Sequence, residues 1–337
     1  MVGTLREAAN AVEVVGTVKK VDLETKVSAK SGKEMIIGSI LMEVKENAER
    51  IHNIKVKIFS MKLNKQGAIS GLYKGYETVK NEWKPGDRAK ITGSITLQEY
   101  YSRSGAIVSF NEVKGLFCNR LEEGDQTPDK AIATVEMVVK GMTPEIDADQ
   151  IPTGNLVVDA FTVGYNSTII PLTDLIITGD LGQQFQGMYG PNTTGKITMK
   201  INNYATVAKE AAPAVTHGFG STEAVEDTIV KDYTSNLEII GGDLPYHDGV
   251  NEYTPENIAQ ADTNRQLALQ QLQQNATPPA TPTANGFGTT GATPVNDPMA
   301  NAFGGAAQPN QTNNADPFAT NDASPFNANP FGGTPAF

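Results

Sequence analysis

The stretch from Trp83 to Phe110 constrains the fold most tightly, because it contains a turn, a strand, a tip and a returning strand in succession. Pro85-Gly86-Asp87 opens it: proline fixes its own φ, glycine accepts left-handed geometry, and aspartate bonds nearby backbone. Ala89, Ile91, Gly93 and Ile95 then alternate with Arg88, Lys90, Thr92 and Ser94, the period of two that marks a half-buried strand. After Glu99-Tyr100-Tyr101-Ser102-Arg103-Ser104-Gly105, a second strand returns from Ala106 to Phe110. This predicts a hairpin with two tyrosines and an arginine at its tip. If the strand persists, Tyr100 and Tyr101 point to opposite faces, so at most one of them stacks on a ligand while the other packs. Rings beside a cation suit a single-stranded nucleic acid, whose bases stack and whose phosphates are drawn to positive charge.

Three strands precede the hairpin. Val12 to Leu23 reads as the first, with Gly16 marking a bulge or bend. A turn-rich segment from Lys26 to Lys33 separates it from an apolar second strand, Met35 to Val44. The third, His52 to Phe59, alternates cleanly: Ile54, Val56 and Ile58 face inward, and Lys55, Lys57 and Phe59 lie opposite. Between the third and fourth strands, Leu72, Tyr73, Tyr76 and Val79 fall near helical spacing. Five strands with an insertion between the third and fourth is the order of an OB-fold, a small Greek-key barrel that binds oligonucleotides.

Leu121 to Asp129 is an acidic, turn-rich linker, after which the pattern recurs in outline. Strands are expected at 131–142, 155–163, 167–178, 196–204 and 236–240, a second barrel of similar size. Thr254-Pro255-Glu256 starts a helix well, with a threonine cap, proline at the first position and an acid at the positive dipole end. That helix should run to about Gln274, with a thin apolar stripe that suits a peripheral or partner-dependent element. The fold class is therefore all-β: two OB-fold-like five-stranded barrels, over 1–124 and 125–250, then an amphipathic helix over 251–275. From 276 to 337 the chain reduces to Ala, Gly, Pro, Asn, Thr and Phe without lysine or arginine. Such a composition cannot bury enough apolar surface to offset ordering entropy, so disorder is expected there. Its phenylalanines nonetheless recur in short units: Asp316-Pro317-Phe318, Ser324-Pro325-Phe326, Asn329-Pro330-Phe331 and Pro335-Ala336-Phe337. They read as linear motifs for partner proteins.

The net charge of −11 hides two unlike halves. Residues 1–120 hold 20 Lys+Arg against 13 Asp+Glu; the remainder holds 7 against 25. A basic body with an acidic remainder points to a polyanionic partner for the first half. Across 131–245 the only cations are Lys140, Lys196, Lys200, Lys209 and Lys231, which makes the second barrel the weaker candidate for phosphate contact. One cysteine, Cys118, leaves no intramolecular disulfide and no multi-cysteine zinc site, and reads as a small buried hydrophobe. No signal peptide or membrane span is evident. Gly190 to Lys196 fits G-x-x-x-x-G-K, but Ile197 stands where a phosphate loop needs Ser or Thr, and the segment alternates as a strand. His52, His217 and His247 lack metal-ligand spacing and read as surface or loop residues. No carboxylate pair suggests acid–base catalysis, so the expectation is a non-enzymatic protein without cofactor or metal.

A basic β-barrel over 12–120 with an aromatic hairpin, followed over 275–337 by a tail ending in phenylalanine, resembles the single-stranded DNA-binding proteins (SSBs) of bacteria and their phages. In that family the tail ends in an acidic run and Pro-Phe, which replication and repair enzymes capture. Phe337 matches the last position; Ala336 separates it from Pro335, and the nearest acids are Asp316 and Asp322. The resemblance implies sequence-tolerant binding of single-stranded DNA in phage replication or recombination, in the cytoplasm of an infected bacterium. Lys19, Lys20, Lys26, Lys30, Lys33, Lys55, Lys57 and Arg103 would attract phosphates. Phe59, Tyr100 or Tyr101 would stack, and Trp83 either packs against the barrel end or joins them. Phe318, Phe326, Phe331 and Phe337 would recruit replication or recombination proteins. Two barrels per chain would permit a homodimer, and a monomer is also allowed. A protein-interaction scaffold whose Pro-Phe motifs recruit adaptors, or a virion structural protein, is the competing expectation.

Overall fold

The computed structural model describes residues 4–29, 31–102, 105–147, 149–210, 228–247 and 249–276. Alternation does what the sequence implies in the first half. β1 (Asn10–Val27), β2 (Glu34–Lys45), β3 (Ile51–Met61), β4 (Arg88–Tyr101) and β5 (Ile107–Arg120) form a ring in the order β1-β2-β3-β5-β4-β1. All pairings are antiparallel except β3 with β5, which meet in parallel at Val56↔Val113 and Lys57↔Lys114. That order, with α1 (Gly71–Glu82) between β3 and β4, is the OB-fold. Val12, Val14, Ile36, Ile40, Met42, Ile54, Val56, Ile91 and Ile95 fill the barrel. Burying each such side chain contributes about 1.5–3 kcal/mol relative to leaving it exposed. A side chain at Gly16 would strike the Glu43 carbonyl, so only glycine lets β1 pass this close to β2. The bulge itself lies further on, where the register shifts between Val18 and Lys20.

The second half repeats the ring. β6 (Lys130–Ile146), β7 (Pro152–Val163), β9 (Leu175–Ile177), β11 (Thr228–Gly242) and β10 (Thr193–Glu210) close on one another, with β8 (Ile169–Leu172) added to β7. Again the third and fifth strands are parallel, Ile176 opposite Glu238, and a helix, α2 (Gly179–Met188), precedes the fourth strand. Even the irregularity recurs: Leu116 in β5 and Ile240 in β11 are the extra residues of matching bulges. The two barrels join through antiparallel pairing of their first strands, from Asn10↔Val135 to Val15↔Lys130. They belong to one compact unit. Each barrel's β4–β5-type hairpin reaches the other barrel. Asn111 donates from Nδ2 to the Pro171 carbonyl at 2.9 Å, and the Asn203 N–H donates to His52 Nδ1 at 3.2 Å.

Several sequence expectations change. Residues 167–178 are not one strand; a turn at Asp174, with φ of 51°, divides them into β8 and β9. His52 is not a surface residue but is buried at the junction, edge-on to Tyr204 at 5.1 Å between ring centroids. Burial holds its imidazole below the usual range, and accepting from Asn203 N–H fixes the neutral tautomer. Trp83 lies in the first barrel's core beside Tyr73, Tyr76 and Val79 of α1, which removes it from the stacking candidates. α3 (Pro255–Ala276) is firmly docked at its start, where Ile258 and Ala261 join Tyr253, Leu5 and Ala8 in a second core over Val138, Phe161 and Val163. Arg6 secures that cover: its guanidinium makes a bidentate pair with buried Glu136 and lies 4.8 Å from the centre of the Tyr253 ring. No described helix is long and apolar enough to cross a membrane.

Candidate nucleic-acid interface

Register decides which side chains share the outer face of the first barrel. Lys20, Leu41 and Lys55 lie in one row across β1, β2 and β3. The next row runs Asp22, Ser39, Lys57, Lys114 and Ser94, crossing onto β5 and β4. The following one brings Ile37 opposite Phe59. Lys55, Lys57 and Phe59 therefore do share a face, and Lys114, which alternation alone did not single out, joins them.

The lysines differ in what already holds them. Lys19 pairs with Glu43 at 2.9 Å and with Asn53, Lys20 with Asp22 at 3.1 Å, and Lys26 with Glu24 at 2.8 Å. Lys57 lies 3.9 Å from Glu112, at the edge of pairing. Lys55 and Lys114 have no ion-pair partner among the described residues, and both are exposed. Lys33 is exposed as well, whereas Lys30 and Arg103 lie outside the described residues. So, among the described residues of the predicted set and Lys114, Lys33, Lys55 and Lys114 are exposed without an ion-pair partner and Lys57 is only loosely paired, whereas Lys19, Lys20 and Lys26 are each held by a carboxylate.

The β4–β5 hairpin carries this face beyond the barrel. Positions 114, 112, 110 and 108 of β5 share it with Ser94, Thr96, Gln98 and Tyr100 of β4. Tyr100 is 47 % exposed and Phe110 40 %, both on the lysine side. Tyr101 lies on the reverse side with Leu97, Glu99 and Asn111, the side that docks on the second barrel and α3. Glu99 is anchored there by Arg265 at 2.6 Å and by the Ser109 hydroxyl at 2.6 Å. Burial raises the carboxyl of Glu99, but those two donors outweigh it and hold the group below its ordinary range. Of the two tyrosines, Tyr100 is thus the one that shares the lysine side, and Phe110, which alternation alone did not single out, is a second exposed ring there. Its signal was present in the i, i+2, i+4 series Phe110, Glu112, Lys114. From Phe59 to Tyr100 the strip spans at most about 27 Å at strand rise.

The second barrel offers no equivalent. Ile176 and Glu238 occupy the positions of Lys57 and Lys114. The outer side of β6 and β7 is covered by Leu5, Ala8, Tyr253 and the start of α3. The P-loop-like run at 190–196 leads into strand β10, where the Tyr246 N–H donates to the Thr194 carbonyl at 2.9 Å. A side chain at Gly195 would strike the Tyr189 ring, so this glycine serves packing. No group of three His, Cys, Asp or Glu among the described residues could hold a metal ion.

Comparison with known proteins places the sequence in a family. The chain belongs to the YorF family, whose profile matches residues 8–275. No curated protein matches it. Solved structures with some likeness include the single-stranded DNA binding protein from Thermus aquaticus. A deletion mutant of it has 10 % identity over 74 % of this chain and 98 % of that one, with a TM-score of 0.45. The wild-type protein gives 11 %, 72 %, 95 % and 0.44. An SSB of Plasmodium falciparum in complex with ssDNA covers 35 % of this chain and 99 % of its own at 11 % identity, with a TM-score of 0.26. The strand order, rather than these likenesses, defines the two barrels.

Proposed function

We propose that this protein binds single-stranded DNA, without catalysis, on the outer face of its first barrel. The observation that carries the reading is the row joining Lys57 to Lys114 across the parallel β3–β5 contact, with Lys55 beside it. Phe59 stands at one end of that cluster and Phe110 and Tyr100 at the other. Lysines meet phosphates without reading sequence, and each base offers a ring face, so preference among bases is slight. A role in DNA replication or recombination, in a phage setting, extends this reading. In it Phe318, Phe326, Phe331 and Phe337 recruit partner proteins; these tail residues lie outside the described residues.

A charge-reversal comparison tests the placement. Lys55→Glu, Lys57→Glu and Lys114→Glu together should abolish binding of an oligo-dT at moderate salt. Lys196→Glu with Lys231→Glu, exposed cations of the second barrel, should leave it nearly unchanged. Equal losses from both sets would place the DNA elsewhere.

A further inference from the structure

The centre of the lysine cluster holds an acid. Glu112 lies on the outer face of β5 with its carboxylate 3.9 Å from Lys57 Nζ. Its titratable surroundings follow from the described residues of the packed strands. β3 contributes Lys55 and Lys57, β5 contributes Lys114, and the facing positions of β4 are Ser94, Thr96 and Gln98, none of which titrates. The side chain is only 21 % exposed. Burial raises its carboxyl above the ordinary range, and the three lysines pull in the opposite direction without overcoming it.

The fold itself does not require an acid here. Counting from the matching bulges, the second barrel has Asn236 at this position, a neutral residue that accepts from Asn202 Nδ2 at 2.9 Å. A face built only to hold phosphate would do better with that neutral group, because a carboxylate among the lysines repels each incoming phosphate. The acid therefore needs a reason beyond strand pairing.

We propose that Glu112 is the internal counter-anion of this face: it occupies the place among Lys55, Lys57 and Lys114 that a DNA phosphate takes on binding, and the exchange takes up a proton. The inference rests on the reading that this face binds single-stranded DNA. Without DNA the carboxylate partly neutralises the lysines and keeps them from capturing other anions. When a phosphate arrives, two negative groups share one site and the weaker acid is protonated, as in any close pair of like charges. Linkage then fixes the sign. Bound protein holds more protons than free protein, so affinity rises as pH falls, by at most about tenfold per pH unit for one proton. Above the bound-state pKa of Glu112 the dependence vanishes and repulsion is fully in force. Glu112 thus limits how long DNA stays bound and makes release faster at higher pH.

The test is fluorescence titration of oligo-dT against the full chain, wild type and Glu112→Gln, from pH 5.5 to 8.5 at fixed salt. Glu112→Gln should bind about tenfold more tightly at the alkaline end, with slower dissociation, and its affinity should be flatter with pH. The wild type should converge on it as pH falls. Glu112→Asn, the residue of the second barrel, should behave like the glutamine variant, so a local packing fault in one substitution cannot decide the outcome. Wild-type binding with identical affinity and pH profile in both variants would overturn the inference and leave the DNA-binding reading standing. No wild-type binding at any pH would overturn that reading, and the inference with it.

Discussion

Replacing the exposed rings of the hairpin separates this account from one in which the tyrosines act as a pair. Tyr100 and Phe110 lie on the lysine side of the β4–β5 ladder, and Tyr101 on the reverse. A base stacked on an aromatic side chain is worth about 1–3 kcal/mol by alanine substitution, so Tyr100→Ala and Phe110→Ala should each weaken oligo-dT binding about 5- to 150-fold. Gln98↔Phe110 and Tyr100↔Val108 are successive same-face pairs, which makes Tyr100 and Phe110 diagonal neighbours, positions about 7–8 Å apart on the sheet. Rings that close are expected to hold the same or adjacent bases, so the double variant should lose less than the product of the two. Both side chains are substantially exposed, and truncation should shift unfolding by about 1 kcal/mol or less. The assay is anisotropy of a labelled oligo-dT, with urea unfolding of each variant as the control. Tyr101→Ala should leave affinity near wild type. A loss from Tyr101→Ala as large as that from Tyr100→Ala, or no loss from either lysine-side ring, would refute the assignment of faces.

Other consequences are independent of DNA. Arg6→Ala should destabilise the unit by about 2–4 kcal/mol in urea unfolding, because among the described residues the Glu136 carboxylate keeps only the Ala9 N–H at 3.2 Å as a donor and stays buried; unchanged stability would contradict the role given to that pair. The Cys118 thiol, pushed up to about 12 by burial, should resist alkylation in the folded protein at pH 8 and react after denaturation. Rapid labelling of the native chain would show that β5 opens at its end. Glu13 bridges Lys90 of β4 and Lys130 of β6, and hydrogen bonding from Lys90 above all holds its carboxyl below its ordinary value. Its contribution is therefore present above that value and lost as pH falls through the lower folded-state one. The melting temperature should drop in that acid range, less so in Glu13→Gln; identical acid profiles would show that the bridge adds nothing.

Much of the architecture is legible because a closed barrel needs period-two strands, and 12–120 spells them on either side of the α1 insertion. The second barrel is recognisable for the same reason, though its third strand is only Leu175–Ile177 and was read as part of a longer one. α2 went unseen because Gly179-Asp180-Leu181-Gly182 resembles a turn, while tertiary packing of Leu181 and Phe185 against the barrel makes it a helix. The interface was partly legible. Lys55, Lys57 and Phe59 follow from one strand's alternation. Lys114 and Phe110 do not, since their facing depends on how β5 meets β3 and on the extra residue Leu116. His52 was misjudged because its partner, Asn203, lies 151 residues away. A side chain's neighbours across that separation are a property of topology, which composition cannot supply.

The most direct measurement of the central claim is the salt dependence of affinity for oligo-dT, set beside a duplex of equal length. If Lys55, Lys57 and Lys114 each meet a phosphate, the logarithm of the association constant should fall with the logarithm of salt at a slope of about −2. The single strand should also bind far more tightly than the duplex, whose bases cannot reach Phe59, Phe110 and Tyr100. A slope near zero, or equal affinity for duplex and single strand, would contradict the account.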